Sequence, residues 1–390
     1  MKEAIRILLF LFVLSFPLSM SAQTIDYIRP PKRTTTKPVK KPKKKTKKEN
    51  KQEAEPEESL EDLYAKGYDL YQAGDYTQAV IWFRKAADKG HDDAQYALGY
   101  CYYSGQGVPQ DYTQAVYWYR KAAEQGNASA QNNLGVCYAH GEGVTQDYSQ
   151  AVYWYRKAAE QGYVLSQNNL GLCYEDGQGV TQDYFQAVSW YRKAAEQGDV
   201  MAQSNLGVCY DNGRGVTQDY SQAVYWYRKA AEQGNAQAQC NLGYCYAHGE
   251  GVTQDYSQAV SWFRKAAEQG SDVAQYNMGD SYATGQGVPQ DWTQAVYWYR
   301  KAAEQGHAQA QHNLGVCYHE GQGISADFSQ AVYWFRKAAE QGNAYAQYNL
   351  GLCFYYGEGI GKDVPTARYW WHKAADQGLQ EAKETLEECH

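Results

Sequence analysis

The short signatures by which many enzyme classes are recognised are missing from this sequence of 390 residues. It contains no His-Glu-x-x-His, so no helix offers two imidazoles and a carboxylate to one zinc ion. Neither Gly-x-Ser-x-Gly nor Ser-x-x-Lys occurs, which removes two common settings of an activated serine. Gly-x-Gly does recur, first at Gly105 and Gly107, but it follows a helical pattern and lacks the third glycine of a dinucleotide loop. The histidines are scattered; His307, His312 and His319 share one stretch at steps of five and seven, which give no coherent ligand set. Carboxylate pairs such as Glu175-Asp176 are sequence neighbours, and neighbours on a helix point apart. No catalytic residue, no metal and no cofactor is therefore expected.

A membrane-spanning run is also missing. The apolar stretch from Ile7 to Leu18 is shorter than the roughly 20 residues a spanning helix needs. Lys2 and Arg6 precede it, and Ser19, Ser21 and Ala22 follow, so residues 1–22 read as a secretory signal peptide. No cysteine adjoins the cleavage site to carry a lipid, and export to a periplasm or out of the cell is expected. Residues 23–58 follow as a linker, first basic and then acidic. Arg29–Lys51 holds almost no apolar residue and cannot offset its ordering entropy, so it reads as a disordered tether. Residues 1–51 carry 14 Lys+Arg against 3 Asp+Glu, leaving 23 against 41 in residues 52–390. The basic stretch is either a solvated spacer or a weak contact for anionic surfaces; having no shape to read, it fits the spacer better. Nucleic acid is not an expected partner.

What the sequence has in abundance is itself. Leu-Gly recurs from Leu98-Gly99 at Gly135, Gly171, Gly207, Gly243, Gly315 and Gly351, with Met278-Gly279 in the same phase, at a constant 36-residue step. A fixed period in this range denotes a solenoid. Each unit holds two helical patterns. In the first, Ala130, Leu134, Cys137 and Tyr138 share a face; in the second, Ala151, Val152, Tyr155, Ala158 and Ala159 do. Asp147 with Gln150 resembles a capping box, and Gly162 falls where the second helix needs a left-handed residue. Gly141 ends the first helix in the same way and Gly143 permits a tight turn. One helix pair cannot bury its apolar side alone, so neighbours must stack.

The leading unit, residues 59–94, is four residues shorter between its helices, and "LYAKGYDLYQAGDYTQAVIWFRKAADKG" resembles a tetratricopeptide repeat. The longer units over 95–378, with the pattern AQxxLGxxYxxGxGVxxDxxxAVxWYRKAAEQG, resemble eight Sel1-like repeats. That resemblance implies an all-α, right-handed α/α superhelical solenoid whose concave face is lined mainly by first helices. It further implies a monomeric, non-enzymatic scaffold for a protein or extended peptide partner; an envelope enzyme or glycan-binding protein is the contending class. Residues 379–390 keep Ala382 and Leu386 in phase but replace the glycine with Glu387, as a polar capping helix would. Cysteine-rich Sel1-like proteins carry a second cysteine per repeat, and this chain does not. Cys101, Cys137, Cys173, Cys209, Cys245, Cys317, Cys353 and Cys389 hold one repeat position and read as small buried residues. Cys240 is out of phase and reads as a candidate free thiol, exposed on the surface.

Comparing units within the chain separates what packing fixes from what it leaves free. The tryptophans Trp118, Trp154, Trp190, Trp226, Trp262, Trp298 and Trp334 are in phase, which suits packing. Variation concentrates on one stripe of the first helix, before and after the glycine: Tyr96, Tyr276, His312 and Tyr348; Tyr100, Tyr244 and Asp280; Tyr103, Glu175, Asp211, His319 and Tyr355. By resemblance this stripe lines the ligand groove; tolerated drift on a solvated surface is the other reading. Two before the glycine stand Asn133, Asn169, Asn205, Asn241, Asn277, Asn313 and Asn349. Asparagine is a poor helix former, so something other than propensity selects it. Its amide suits either an extended peptide backbone, gripped by an asparagine ladder as in some tetratricopeptide superhelices, or hydrogen bonding between repeats.

Overall fold

The computed structural model describes residues 58–388. The expected signal peptide, nearly all of the linker, and Cys389 lie outside the described residues. Those described form nineteen helices and no strand: α1 Leu60–Gln72, α2 Tyr76–Asp88, α3 Asp92–Ser104, α4 Tyr112–Glu124, α5 Ala128–His140, α6 Tyr148–Glu160, α7 Val164–Asp176, α8 Tyr184–Glu196, α9 Val200–Asn212, α10 Tyr220–Glu232, α11 Ala236–His248, α12 Tyr256–Glu268, α13 Asp272–Thr284, α14 Trp292–Glu304, α15 Ala308–Glu320, α16 Phe328–Glu340, α17 Ala344–Tyr356, α18 Val364–Asp376 and α19 Gln380–Glu388. This is an all-α solenoid. Among the described residues it divides into two compact units, one of residues 58–206 with 214–217 and one of 207–213 with 218–388.

Each unit is assembled by the same local chemistry. Second helices open on an aspartate: Asp147, extended at φ −152°, accepts from the backbone N–H of Ser149 at 2.9 Å and of Gln150 at 3.1 Å through Oδ1. They close with Gln161 as cap and Gly162 at φ 87° just beyond. First helices open on Asn127 and its counterparts; the Asn127 side chain accepts from the third residue on, Ala130 N, at 3.0 Å, whereas Tyr163 opens α7 without a side-chain bond. Helix pairs therefore begin near residues 92, 128 and 164, three residues before the boundaries read from the Leu-Gly phase.

Stacking supplies the core. In the first unit Tyr96 from α3, Ala115 and Tyr119 from α4, Leu134 and Cys137 from α5, and Trp154 from α6 form one buried cluster. The second repeats it with Tyr276, Tyr299, Leu314, Cys317 and Trp334. The invariant glycine marks the closest approach within a pair: a Cβ on Gly135 would lie 2.6 Å from the Tyr155 ring, which is itself only 2% exposed.

Two polar ladders accompany the apolar packing. Gln131, buried at the start of α5, donates through Nε2 to Ala123 O of the preceding pair at 3.0 Å and accepts at Oε1 from Gln161 Nε2 at 2.7 Å. The same pair of bonds recurs at Gln95, Gln167, Gln275, Gln311 and Gln347. Closing helix ends with buried amides leaves few orphan carbonyls. On the outer side Arg120 Nη2 donates to Tyr138 Oη at 2.8 Å in the next pair, and Arg156 to Tyr174 at 2.9 Å.

The Gly-x-Gly loop is part of this packing. Gly143, at φ 71°, lies so close to α4 that an added Cβ would overlap the carbonyl of Tyr112, and equivalent glycines repeat the approach in both units. Glycine is needed there because a preceding backbone, rather than a phosphate, occupies the space. At the C-terminus α19 packs on α18, burying Ala382 and leaving a polar outer side.

Candidate functional site

The stripe read as groove lining divides into two sets once its surroundings are known. Tyr96, Tyr276 and His312, three residues before the glycine, are 4%, 5% and 0% exposed, and Tyr348 is half-buried. Position 240 belongs to this row. Cys240 is buried at 5% among Val260, Phe263, Ala274 and Trp298, and burial pushes its thiol up to about 12. The expectation of an exposed thiol is therefore corrected: this row faces the adjacent pair, where a small apolar side chain fits.

The asparagines are enclosed too. Asn133, Asn241 and Asn313 are at most 1% exposed, Asn349 2%, Asn205 6% and Asn169 7%; Asn277 is half-buried. Four of their amides engage the preceding pair, whereas Asn133 Nδ2 and Asn241 Nδ2 are buried without a hydrogen-bond partner among the described residues. Asn169 Nδ2 donates to Asn132 Oδ1 at 3.3 Å and Asn205 Nδ2 to Asn168 Oδ1 at 3.2 Å. Asn313 Nδ2 reaches Asp280 Oδ1 at 3.4 Å, and Asn349 Nδ2 reaches His312 Nε2 at 3.1 Å. Of the two roles open to these amides, bonding between repeats is displayed at Asn169, Asn205, Asn313 and Asn349.

The second set, at the C-terminal ends of first helices, is more open. Tyr100, Tyr103, Glu175, Tyr244, Asp280, His319 and Tyr355 are half-buried, and Asp211 is 8% exposed. At four of the positions four after the glycine, Tyr103, Glu175, Asp211 and His319, the side chain faces the middle residue of the next Gly-x-Gly loop, forming a rung. Tyr103 Oη donates to Glu142 Oε2 at 2.8 Å. Arg214 Nη1 lies 3.7 Å from Glu175 Oε1. His319 Nε2 lies 3.0 Å from Glu358 Oε2 and its Nδ1 3.2 Å from Glu320 Oε1. The Asp211 rung pairs like with like, since its opposite number is Glu250. Aromatic rings opening the second helices flank these rungs, with Tyr112 at 5.1 Å from Tyr103 and Phe328 at 5.0 Å from His319.

Burial makes the carboxylates here reluctant to ionise. Asp211 is pushed up to about 6 by burial, then by the Glu250 charge, against a hydrogen bond from Tyr227 Oη at 3.3 Å. Asp280 is likewise pushed up to about 6 by burial, although Tyr299 Oη donates to it at 2.6 Å. Glu175 is raised by burial, with Tyr191 Oη donating at 2.6 Å and opposing the shift. These tyrosines occupy the aromatic second-helix position beneath the glycine, held by Phe263, Phe335 and Trp371 in other repeats; their phase marks packing and gives no hint that their hydroxyls meet first-helix acids. The glutamine ladder was missed as well, although its signal stands in every full unit: one Gln four residues before the glycine of the first helix and another just before the glycine that ends the second.

The sequence profile of the Sel1 repeat matches residues 62–91, 92–127, 128–163, 164–199, 200–235, 236–271, 272–307, 308–343 and 344–379, so the chain belongs to the Sel1 repeat family. The first match takes in the short unit read as tetratricopeptide-like. Among solved structures the chain is similar to a protective antigen of uropathogenic Escherichia coli displaying an SLR fold, at 40% identity and TM-score 0.66, covering 85% of this chain and 79% of that one. A Sel1 repeat protein from Oxalobacter formigenes is 33% identical with TM-score 0.62, covering 88% of this chain and 98% of that one. DAP3-binding cell death enhancer 1 from Rattus norvegicus is 46% identical over 44 residues, 11% of this chain and only 9% of that protein. Sel1 repeat proteins are typically protein-interaction scaffolds, and their fold is generally non-enzymatic.

Proposed function

We propose that this chain is an exported scaffold that holds an extended, basic segment of a partner protein against the rungs formed by first-helix ends and Gly-x-Gly loops. The observation that carries the reading is where the negative charge sits. The recurring second helix is balanced: Asp147 and Glu160 offset Arg156 and Lys157. The surplus in the repeats comes largely from residues outside it, among them Glu142, Glu175, Asp176, Asp211, Glu250, Asp280, Glu320 and Glu358. Several of these lie beside half-buried tyrosines, which supply apolar area at little entropic cost. Lysine and arginine side chains would meet carboxylates and ring faces together. Each exposed pair contributes about 0–1 kcal/mol, so affinity arises from many rungs rather than one. The buried asparagines hold the rungs in register. Export is supported by the apolar run Ile7–Leu18 with its basic start and small-residue end.

The test uses the mature full chain and a labelled synthetic peptide with the sequence of Arg29–Lys51, followed by fluorescence anisotropy. A Glu/Pro peptide of equal length is the control. Binding of the basic peptide should weaken about fivefold when Asp211→Asn and Glu250→Gln are combined, corresponding to roughly 1 kcal/mol, and should weaken further with salt. Equal binding by the charge-neutralised protein, or equal binding of the acidic peptide, would overturn the proposal. Export is checked by the N-terminal mass of the secreted product; retention of residues 1–22 would refute it.

A further inference from the structure

His312 is the one imidazole in its row; the others are Tyr96, Asn132, Asn168, Ser204, Cys240, Tyr276 and Tyr348. It is fully buried on α15, at the joint between residues 308–343 and 344–379. Asn349 Nδ2 of α17 donates to its Nε2 at 3.1 Å, which leaves the ring proton on Nδ1, donating to Asn313 Oδ1 at 3.0 Å. The Phe335 ring of α16 lies 5.9 Å away and the Tyr345 ring of α17 6.2 Å away. A carboxylate, Asp280 of α13, lies on the far side of the Asn313 amide, with Tyr276 of α13 and Tyr299 of α14 around it. No carboxylate is hydrogen-bonded to the imidazole to receive a charge.

We propose that His312 makes this joint acid-labile: a proton on Nε2 abolishes the acceptor for Asn349, sets two donors against each other, and opens the contact between α15 and α17. The array would thereby loosen locally on acidification while the pairs preceding α13 stay closed. Burial holds the imidazole down at about 4, against 6.5 for a free side chain. The sign follows directly. The open state binds the proton more tightly than the closed one, so closure is favoured above 6.5 and is lost progressively as pH falls toward 4. Between pH 7.5 and pH 5 the opening constant should rise roughly 30-fold on those values. Asp280 works in the opposite direction, because its raised carboxyl is protonated within the closed state over the same range. A local reading is therefore required.

The experiment is hydrogen exchange followed by mass spectrometry on the full chain at pH 7.5 and pH 5, corrected for intrinsic rates. Peptides from α15 and α17 should show the rise in opening, and those from α5 and α7 should not. His312→Asn, the residue found at positions 132 and 168, should remove the acid-induced opening of α17 and most of that of α15, whose capping His307 accepts from Ala310 N at 3.2 Å and is itself lowered by burial, while leaving α15 protected at pH 7.5. Unchanged acid sensitivity in that variant, or full protection of α15 and α17 at pH 5, overturns the proposal. Should the variant fold poorly, the wild-type Cε1–H resonance decides: titration of His312 near 6.5 without opening refutes the inference, and titration only together with opening supports it.

Discussion

Gly143 and Gly162 allow a controlled measurement of what the Gly-x-Gly loop is for. Both have positive φ, 71° and 87°. A Cβ at Gly162 would meet nothing within 4 Å, whereas at Gly143 it would overlap the Tyr112 carbonyl and approach Thr113 N at 2.8 Å. Alanine at Gly162 therefore incurs only the left-handed backbone cost, about 1–2 kcal/mol. At Gly143 the same backbone cost is joined by overpacking against immobile backbone, about 1–3 kcal/mol more. Gly143→Ala should thus be destabilised by roughly 2–5 kcal/mol and should exceed Gly162→Ala by at least about 1 kcal/mol. Urea unfolding followed by circular dichroism gives the order. Hydrogen exchange localises the effect to α4–α6, which is necessary because repeat arrays depart from two-state behaviour. Equal destabilisation by the two substitutions would refute the packing account and reopen a ligand role for the loop.

Other consequences are equally direct. Asp280 has its carboxyl raised from 3.8 to about 6, so the folded state binds its proton more tightly than the unfolded state and stability falls as pH rises through that interval. Asp280→Asn should then be more stable than the parent at pH 7.5, by about 1–3 kcal/mol, and gain nothing at pH 3.5; urea midpoints at both values check it. Asn313→Ala should lose about 1–3 kcal/mol of stability with the geometry of the rung residues disturbed, seen as faster exchange in α13 and α15; a variant as stable as the parent would deny the buried amide its role. Gln131→Ala should cost less, about 0.5–1.5 kcal/mol, since it removes two hydrogen bonds while Gly126 N still reaches the Ala123 carbonyl and Gln161 Nε2 still reaches Lys157 O, measured by thermal denaturation.

Much of this architecture was legible in the letters because each repeat solves the same local problem. The 36-residue phase, the aspartate caps, the terminal glycines and the in-phase Leu, Ala and Cys follow from helix geometry and from one pair's inability to bury its own apolar side. Trp118, Trp154 and Trp226 are buried as their phase implied. The face of the candidate site was less legible. Helical periodicity says which residues share a stripe, but not whether water or a neighbouring pair covers it. Tyr96, Tyr276, Cys240 and His312 vary between repeats as a solvated row would, yet they are enclosed.

The sequence by itself determined the helix pairs, their number and their order, because caps, period and apolar faces are local instructions. Tertiary structure alone decided what the asparagines bond, that Gly143 yields its space to Tyr112, and that the tyrosine hydroxyls of α8, α10 and α14 reach Glu175, Asp211 and Asp280. Those partners lie from 16 residues away to a full repeat apart. Such pairings depend on how one helix or pair settles against the next, a property of packed surfaces that a repeating string of residues does not state.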